Sequence, residues 1–240
     1  MSILCRLLFL FISILPLEYV YAGIVLDRTR LIYNAKDAES SFIVTNKDIN
    51  EVMIQSWIES DSISSDNIPF IVTPSLVRID GEKQQKLRLF YKGDGLPDDR
   101  ESVLWMIIQE IPQKSKLENS ILLAVRQRIK MFYRPNKLNG SQSIAAKRLE
   151  FKLENNKGNI YLIINNKSEY HITIAQSKIY LSKGNDNNVV TVENGMINPF
   201  EVRRIKLEKT FNETKENIDI EFDSINDFGG LDRVKSSLVV

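Results

Sequence analysis

Apolar and polar residues alternate with a period of two along most of the chain after residue 22, which predicts β-strands. The predicted strands of the first half are residues 24–33, 41–44, 52–58, 70–72, 75–79, 87–91, 103–109 and 121–133. Those of the second half are residues 149–153, 159–164, 173–181, 189–192, 203–207 and 218–222. No segment keeps a helical period, so we expect little helix. Many short strands separated by polar turns are typical of all-β sandwiches.

The alternation stops near Pro135 and resumes at Leu149, which divides the chain into two parts. The segment between them is polar and contains Gly140, as is common in linkers between domains. We therefore predict an N-terminal β domain over residues 23–138, a linker over residues 139–146 and a C-terminal β domain over residues 147–240.

Residues 1–22 have the layout of a secretory signal. Arg6 precedes an apolar run over residues 7–15, Pro16 ends that run, and small or tolerated residues over 20–22 lead to a predicted cleavage site after Ala22. The alternative is a membrane anchor, but the run is about half of the roughly 20 residues that a spanning helix needs. We expect an exported protein without stable membrane insertion.

Composition excludes several classes of protein. The 240 residues include 32 Lys and Arg against 31 Asp and Glu, and this balance gives no global attraction to nucleic acid. With 1 Cys and 1 His, the chain cannot build a Cys/His zinc site or a disulfide scaffold. We expect a binding protein without catalytic residues, metal or cofactor. The single histidine, His171, has no partner visible in the sequence, and we predict that it lies on a surface strand.

Two segments carry cations in apolar surroundings. Arg28 and Arg30 share one face of the first predicted strand, where they form either a solvated edge or a site for an anion. In residues 121–130, Ile121, Leu123 and Val125 share one face. A strand with this apolar face is either a buried core strand or an edge strand that awaits a partner. Lys130 either pairs internally or lines a cleft.

Several strings together resemble one family. They are residues 27–30 (DRTR), 55–59 (QSWIE), 69–74 (PFIVTP), 100–102 (RES), 110–112 (EIP), 128–135 (RIKMFYRP) and 226–230 (NDFGG). In this order and combination they resemble the periplasmic pilus-assembly chaperones of the chaperone–usher pathway, the PapD/FimC type. The short segment after Ile111 is similar to the short-loop branch of that family.

The resemblance implies two immunoglobulin-like β-sandwich domains set at an angle, with a cleft between them. It implies a periplasmic chaperone, without enzymatic activity or cofactor, that binds unfolded pilus subunits 1:1. Such a chaperone lends a β-strand to the subunit and delivers it to an outer-membrane usher. An exposed donor strand also favours self-association of the free chain.

The resemblance also assigns roles to residues of this sequence. Arg30 and Lys130, the cation pair, would hold the C-terminal carboxylate of the subunit. Ile121, Leu123 and Val125, the apolar row, would enter the subunit groove. Glu101, Arg134 and Asp227, the interdomain cluster, would fix the angle between domains. A surface facing the usher would include Thr73, Pro74, Arg88 and Ile111.

The sequence leaves one geometric difficulty and two alternative functions. In an ideal strand Lys130 points away from the apolar row, which requires a bulge, a strong twist or a cleft reached from the other face. A structural pilus subunit or adhesin is the first alternative, although a pilin has one domain and usually a disulfide. An extracytoplasmic hydrolase using Glu59 and Asp61 is the second, and it requires two carboxylates in one pocket.

Overall fold

A computed structural model describes residues 23–112, 119, 121, 123–180, 189–192, 195–207 and 219–237. The first-domain strands are β1 (Ile24–Leu26), β2 (Arg30–Asn34), β3 (Ser40–Asn46), β4 (Val52–Glu59), β5 (Phe70–Thr73), β6 (Leu76–Ile79), β7 (Gln84–Tyr91), β8 (Ser102–Ile111) and β9 (Arg126–Arg134). A 3-10 turn covers Ser65–Asn67 and helix α1 covers Gln142–Lys147. The second-domain strands are β10 (Glu150–Asn156), β11 (Asn159–Asn165), β12 (Ile172–Tyr180), β13 (Val189–Val192), β14 (Gly195–Ile197), β15 (Val202–Lys206), β16 (Asp219–Ile225) and β17 (Leu231–Ser237).

The first domain is a sandwich of two sheets. One sheet has the order β1-β3-β7-β5 and the other the order β2-β9-β8-β4-β6. The two sheets bury alternate residues against each other, as β8 shows with Leu104, Met106 and Ile108. The pairing of β2 with β9 is parallel, whereas the other pairings of this domain are antiparallel.

The predicted first strand is two strands in the structure. β1 pairs with β3 in one sheet and β2 pairs with β9 in the other, so the chain changes sheets over residues 27–29. Asp27 stabilises this crossing because its carboxylate accepts hydrogen bonds from the guanidinium of Arg28 and the backbone N–H of Ile43. The crossing brings Arg30 to the start of β2.

The second domain is a separate β-sandwich with its own core. Its sheets have the orders β10-β11-β15 and β13-β12-β16-β17, with β14 also paired to β12. Phe151, Leu162, Ile172 and Phe222 are among its buried residues. The two sandwiches confirm the predicted fold class.

The segment predicted to be a linker contains helix α1. Ser141 caps the helix, its side chain accepting a hydrogen bond from the N–H of Ile144. Ala145 and Ala146 are buried in the core of the second domain. The sequence did not predict this helix, because six residues are too few to show a helical period.

The predicted signal segment, residues 1–22, lies outside the described residues, as does its cleavage site. Among the helices that the structure does describe, none has the length and apolar character needed to cross a bilayer.

Candidate functional site

The cation pair lies side by side on two neighbouring strands. β2 and β9 are parallel, and their register places Arg30 directly opposite Lys130. Both residues are half-buried and lie on the outer face of the sheet, because their neighbours Leu31 and Met131 point into the first-domain core. The structure thus brings together two cations that are 100 positions apart in the sequence.

Neither member of the cation pair has a carboxylate partner among the described residues. Lys130 lies 5.8 Å from the ring centroid of Trp105, and Arg30 lies 5.8 Å from that of Phe132. The Nη1 of Arg30 donates a long hydrogen bond of 3.4 Å to the carbonyl of Ile225, in β16 of the second domain. The Nε of Arg30 is buried and has no hydrogen-bond partner in the described part of the chain.

The electrostatic state of the cation pair follows from burial and repulsion. Burial lowers the pKa of Lys130, and the charge of Arg30 lowers it further. Burial also lowers the pKa of Arg30, against the opposing charges of Asp227 and Glu101. An anion bound between the two cations would stabilise their charged forms and would therefore raise both pKa values.

The interdomain cluster joins the two sandwiches close to the cation pair. The Nε of Arg134 donates to Glu101 at 2.7 Å, while its Nη1 and Nη2 donate to the two carboxylate oxygens of Asp227 at 2.7 and 2.6 Å. The side chain of Glu101 is 0% exposed. Burial by itself lowers the pKa of Arg134, but the bonds to Asp227 and the charge of Glu101 outweigh it and raise that pKa.

The turn that carries Asp227 rests on the first domain. Asn226 holds the turn by accepting hydrogen bonds from the N–H groups of Phe228 and Gly230. Gly229 has a φ of 83°, and a Cβ there would collide with the hydroxyl of Thr29, next to Arg30. The interdomain cluster and the cation pair are thus parts of one contact region.

His171 belongs to this contact region, which corrects the prediction that it lies on a surface strand. It is buried, with its ring Nδ1 2.8 Å and its backbone nitrogen 3.0 Å from Oε1 of Glu101. Sequence reasoning missed this contact because the partner is 70 positions away and in the other domain.

The apolar row lies just before β9, not within a strand. Ile121 and Leu123 are 91% and 79% exposed, and Val125 is 45% exposed. The expectation of one strand over residues 121–133 was too long, since β9 begins at Arg126. These exposures exclude the core-strand alternative for the row.

The face on which Lys130 lies is settled by the regular register of β9. Its pairing with β8 runs from Arg126 to Tyr133 without a shift, so no bulge lies within this part of β9. Odd-numbered residues of β9 point toward the core and even-numbered ones toward the outer face, where Arg30 lies. Lys130 therefore lies on the outer face beside Arg30, and its orientation relative to the apolar row, which precedes β9, stays a prediction.

A second group of charges on this outer face is internally paired. Arg128 contacts Asp61 at 2.8 Å, and Arg126 forms an ion pair with Glu59. The indole N–H groups of Trp57 and Trp105 donate to Glu59 and Asp61. The two carboxylates of the hydrolase alternative are therefore neutralised by arginines on the sheet.

The residues predicted to face an usher are only partly together. Thr73 and Arg88 are opposite each other in the register of β5 and β7, and the Thr73–Pro74 peptide bond is cis. Arg88 forms an ion pair with Glu39. Ile111 lies in the other sheet, opposite Met53.

Comparisons with known proteins decide the family. Residues 23–139 match the family described as pili and flagellar-assembly chaperone, PapD N-terminal domain, and residues 144–236 match the pili assembly chaperone PapD, C-terminal domain. The chain belongs to the PapD family of pilus-assembly chaperones. The family assignment confirms the resemblance of the sequence strings.

Named relatives of this PapD-family chaperone support the family assignment. It is 34% identical over 227 residues to the chaperone protein FimC of Escherichia coli K12, covering 92% of this chain and 87% of FimC. It is 40% identical over 158 residues to the probable fimbrial chaperone LpfB of Escherichia coli O157:H7, covering 64% of this chain and 66% of LpfB. The crystal structure of the YadV chaperone superposes with a TM-score of 0.74 at 31% identity, covering 90% of this chain and 100% of that one.

These findings establish a fimbrial chaperone of the periplasmic chaperone–usher family with two immunoglobulin-like domains. They decide against the alternative in which the chain is itself a pilus subunit or adhesin. The roles of the individual site residues stay predictions.

Proposed function

We propose that this chaperone caps one pilus subunit by holding its C-terminal carboxylate on the cation pair and adding residues 121–125 to its fold as a β-strand. The observation that carries the proposal is the adjacency of Arg30 on β2 and Lys130 on β9, both half-buried and without a carboxylate partner in the described chain. The apolar row lies just before β9.

The cation pair suits a terminal carboxylate. A carboxylate has two oxygens that accept hydrogen bonds, and Arg30 and Lys130 offer donors from two adjacent strands. Hydrogen bonds to charged groups contribute about 1.5–3 kcal/mol each. The buried, unpartnered Nε of Arg30 supports this use, because such a donor costs free energy until it is paired.

The edge beside the apolar row is open for a strand. β2 pairs with β9 only from Lys130 onward, so residues 126–129 have no strand on that side within the described chain. On the other side, the carbonyl of Val125 accepts a hydrogen bond from Glu110 at 2.9 Å, so the β8 ladder continues beyond Arg126. An incoming strand would therefore lie beside β9, on the side of β2.

The direction of the incoming strand follows from these two sites. The C-terminal carboxylate of the incoming strand lies at Lys130, and the residues that precede it run beside residues 121–129. A strand placed in this way is parallel to β9, as β2 is. If residues 121–125 extend β9 as a strand, Ile121, Leu123 and Val125 share one face, and their side chains would enter the core of the subunit.

The two contacts have different roles. Burial of three aliphatic side chains contributes about 1.5–3 kcal/mol each, at least as much as the carboxylate contact. The cation pair determines register, because a slip by one residue would turn each side chain of the added strand to the wrong face. The interdomain cluster holds the second domain so that the cleft stays formed.

Further steps of the pathway belong to the same proposal. The chaperone delivers the bound subunit to an outer-membrane usher through a surface that includes Thr73, Pro74, Arg88 and Ile111. Export uses residues 1–22 as a signal that is cleaved after Ala22. When no subunit is bound, the exposed apolar row promotes self-association of the chaperone.

Co-expression with the cognate pilus subunits, followed by purification from the periplasm, tests the proposal. The variants are Lys130→Ala, the double variant Ile121→Ser/Leu123→Ser, and the control Arg126→Ala, which changes a paired cation on the same face of β9. We expect soluble 1:1 complexes from wild type and the control, and loss of complex from the other two. Equal recovery with Lys130→Ala would contradict the carboxylate contact, and equal recovery with the double variant would contradict strand donation.

A further inference from the structure

His171 is a buried ionisable residue for which the proposed subunit contacts have no use. It directly precedes β12 and lies at the boundary between the domains. Its ring Nδ1 and backbone N–H both approach the same oxygen of Glu101, at 2.8 and 3.0 Å. The backbone N–H of Glu101 in turn donates to the carbonyl of Glu169 at 2.9 Å.

The Glu101 carboxylate divides its oxygens between the two domains. Oε1 accepts from His171 of the second domain, and Oε2 accepts from Arg134 of the first. Since the side chain of Glu101 is fully buried, water does not compete for these oxygens. His171 therefore helps to fix the position of the Glu101 carboxylate and, through it, the position of Arg134.

Arg134 transmits this position toward the cation pair. Its two terminal nitrogens hold Asp227, and the chain two residues earlier presents the carbonyl of Ile225 to Arg30. One connected path thus runs from His171 through Glu101, Arg134 and the turn to Arg30.

The segment that presents His171 is itself well held. The side-chain amide of Asn166 donates to the carbonyls of Tyr170 and Asn198, each at 2.8 Å, and its oxygen accepts from the N–H of Ser168 at 3.1 Å. The ring of Phe132 lies 5.8 Å from the His171 ring, on the first-domain side. The imidazole is therefore fixed from both domains.

We infer that His171 is a positioning residue of the subunit-binding site: it holds Glu101 so that the interdomain cluster orients Arg30 toward the carboxylate of the subunit. This inference rests on the proposed function for its consequence in binding. Its structural part, the orientation of the two domains, stands on the contacts above.

Two substitutions separate this role from simple packing. His171→Asn keeps a donor near the position of Nδ1 but loses volume, whereas His171→Leu keeps volume but has no donor. If His171 positions Glu101, the Asn variant retains the domain orientation and the Leu variant does not. A residue that only fills space gives the reverse order.

The experiment measures two quantities for wild type and both variants. Residual dipolar couplings give the orientation of the domains in the free chaperone, and calorimetry gives the affinity for a purified cognate subunit. We expect His171→Leu to change the orientation and to weaken binding by up to about tenfold, the limit reached if the whole effect of one hydrogen bond to a charged group is passed to the site, with His171→Asn close to wild type.

The outcomes are distinct. Unchanged orientation in His171→Leu overturns the inference, as does a larger defect in His171→Asn than in His171→Leu. If wild type binds no subunit, the proposed function fails, and the couplings of the free variants still decide the positioning role. His171 is the only histidine of the sequence, so its ring signals are unambiguous, and an unprotonated Nδ1 would also overturn the inference.

Discussion

Lys130 and Arg134 lie four positions apart on the same face of β9, but their surroundings shift their pKa values in opposite directions. Arg134 binds two carboxylates through three hydrogen bonds, and the net effect of its surroundings is to raise its pKa. Lys130 is also half-buried, faces another cation, and has its pKa lowered. Only one of these cations is satisfied within the described chain.

The difference shows how one strand can serve both architecture and binding. A satisfied buried cation stabilises the junction of the two domains, whereas an unsatisfied one destabilises the free protein slightly and is relieved by a partner. The contrast predicts that removal of Arg134 mainly lowers folding stability, whereas removal of Lys130 mainly weakens subunit binding.

Arg134→Ala should have the largest effect, on stability. It leaves the fully buried carboxylate of Glu101 without its main cation, and breaking a buried pair in this way costs about 3–5 kcal/mol. Urea unfolding followed by tryptophan fluorescence reports on the first domain, which contains Trp57 and Trp105, and circular dichroism reports on both domains. We expect a lower free energy of unfolding and separate transitions for the two domains.

The matched control for that variant is Arg204→Ala, which removes an exposed ion pair with Glu154 in the second domain. Exposed pairs contribute at most about 1 kcal/mol, so this variant should unfold nearly as wild type does. If Arg134→Ala costs no more than Arg204→Ala, the interdomain cluster does not hold the domains together.

Lys130→Met should leave folding intact and weaken binding. Removal of an unpaired, half-buried charge leaves the free energy of unfolding unchanged or raises it. Loss of a charge-assisted hydrogen bond of about 1.5–3 kcal/mol weakens subunit affinity about tenfold to a hundredfold. Unfolding in urea and calorimetric titration with subunit measure the two quantities.

Arg126→Met is the companion variant, because it changes a paired cation on the same face of the same strand. It should reduce affinity far less than Lys130→Met does. Equal losses from both variants would show that general positive charge, rather than the cation pair, attracts the subunit.

The pH dependence should be smaller but has a definite sign. Because burial and Arg30 lower the pKa of Lys130 below 10.5, the unfolded chain binds more protons than the folded one as pH approaches that value. The contribution of Lys130 to folding stability therefore rises with pH in this window, while subunit affinity falls as Lys130 loses its charge. The comparison of wild type with Lys130→Met isolates this contribution; identical pH profiles would contradict it.

Alternation in the sequence predicted the strands well where one face is buried. The run predicted over residues 52–58 is β4 (Val52–Glu59), and that over residues 103–109 lies within β8 (Ser102–Ile111). The same signal overextended β9 to Ile121, because a period of two does not report whether a neighbouring strand is present.

Contacts between residues that are far apart in the sequence were harder to predict from it. The resemblance suggested the cation pair, but only the parallel register shows that Arg30 and Lys130 are direct neighbours. The burial of His171 depends on Glu101 in the other domain, and no local pattern in the sequence encodes such a contact. Helix α1 was not predicted, because the six residues that follow its Ser141 cap are too few to show a helical period.

The most direct test of the central claim removes the charge of the ligand instead of that of the chaperone. A peptide with the sequence of the last strand of a cognate subunit is prepared with a free C-terminal carboxylate and with a C-terminal amide. Its affinity is then measured for wild type and Lys130→Met. We predict that amidation weakens binding to wild type about tenfold or more, and that Lys130→Met hardly distinguishes the two peptides. Equal binding of both peptides to wild type would contradict the claim that Arg30 and Lys130 hold the terminal carboxylate.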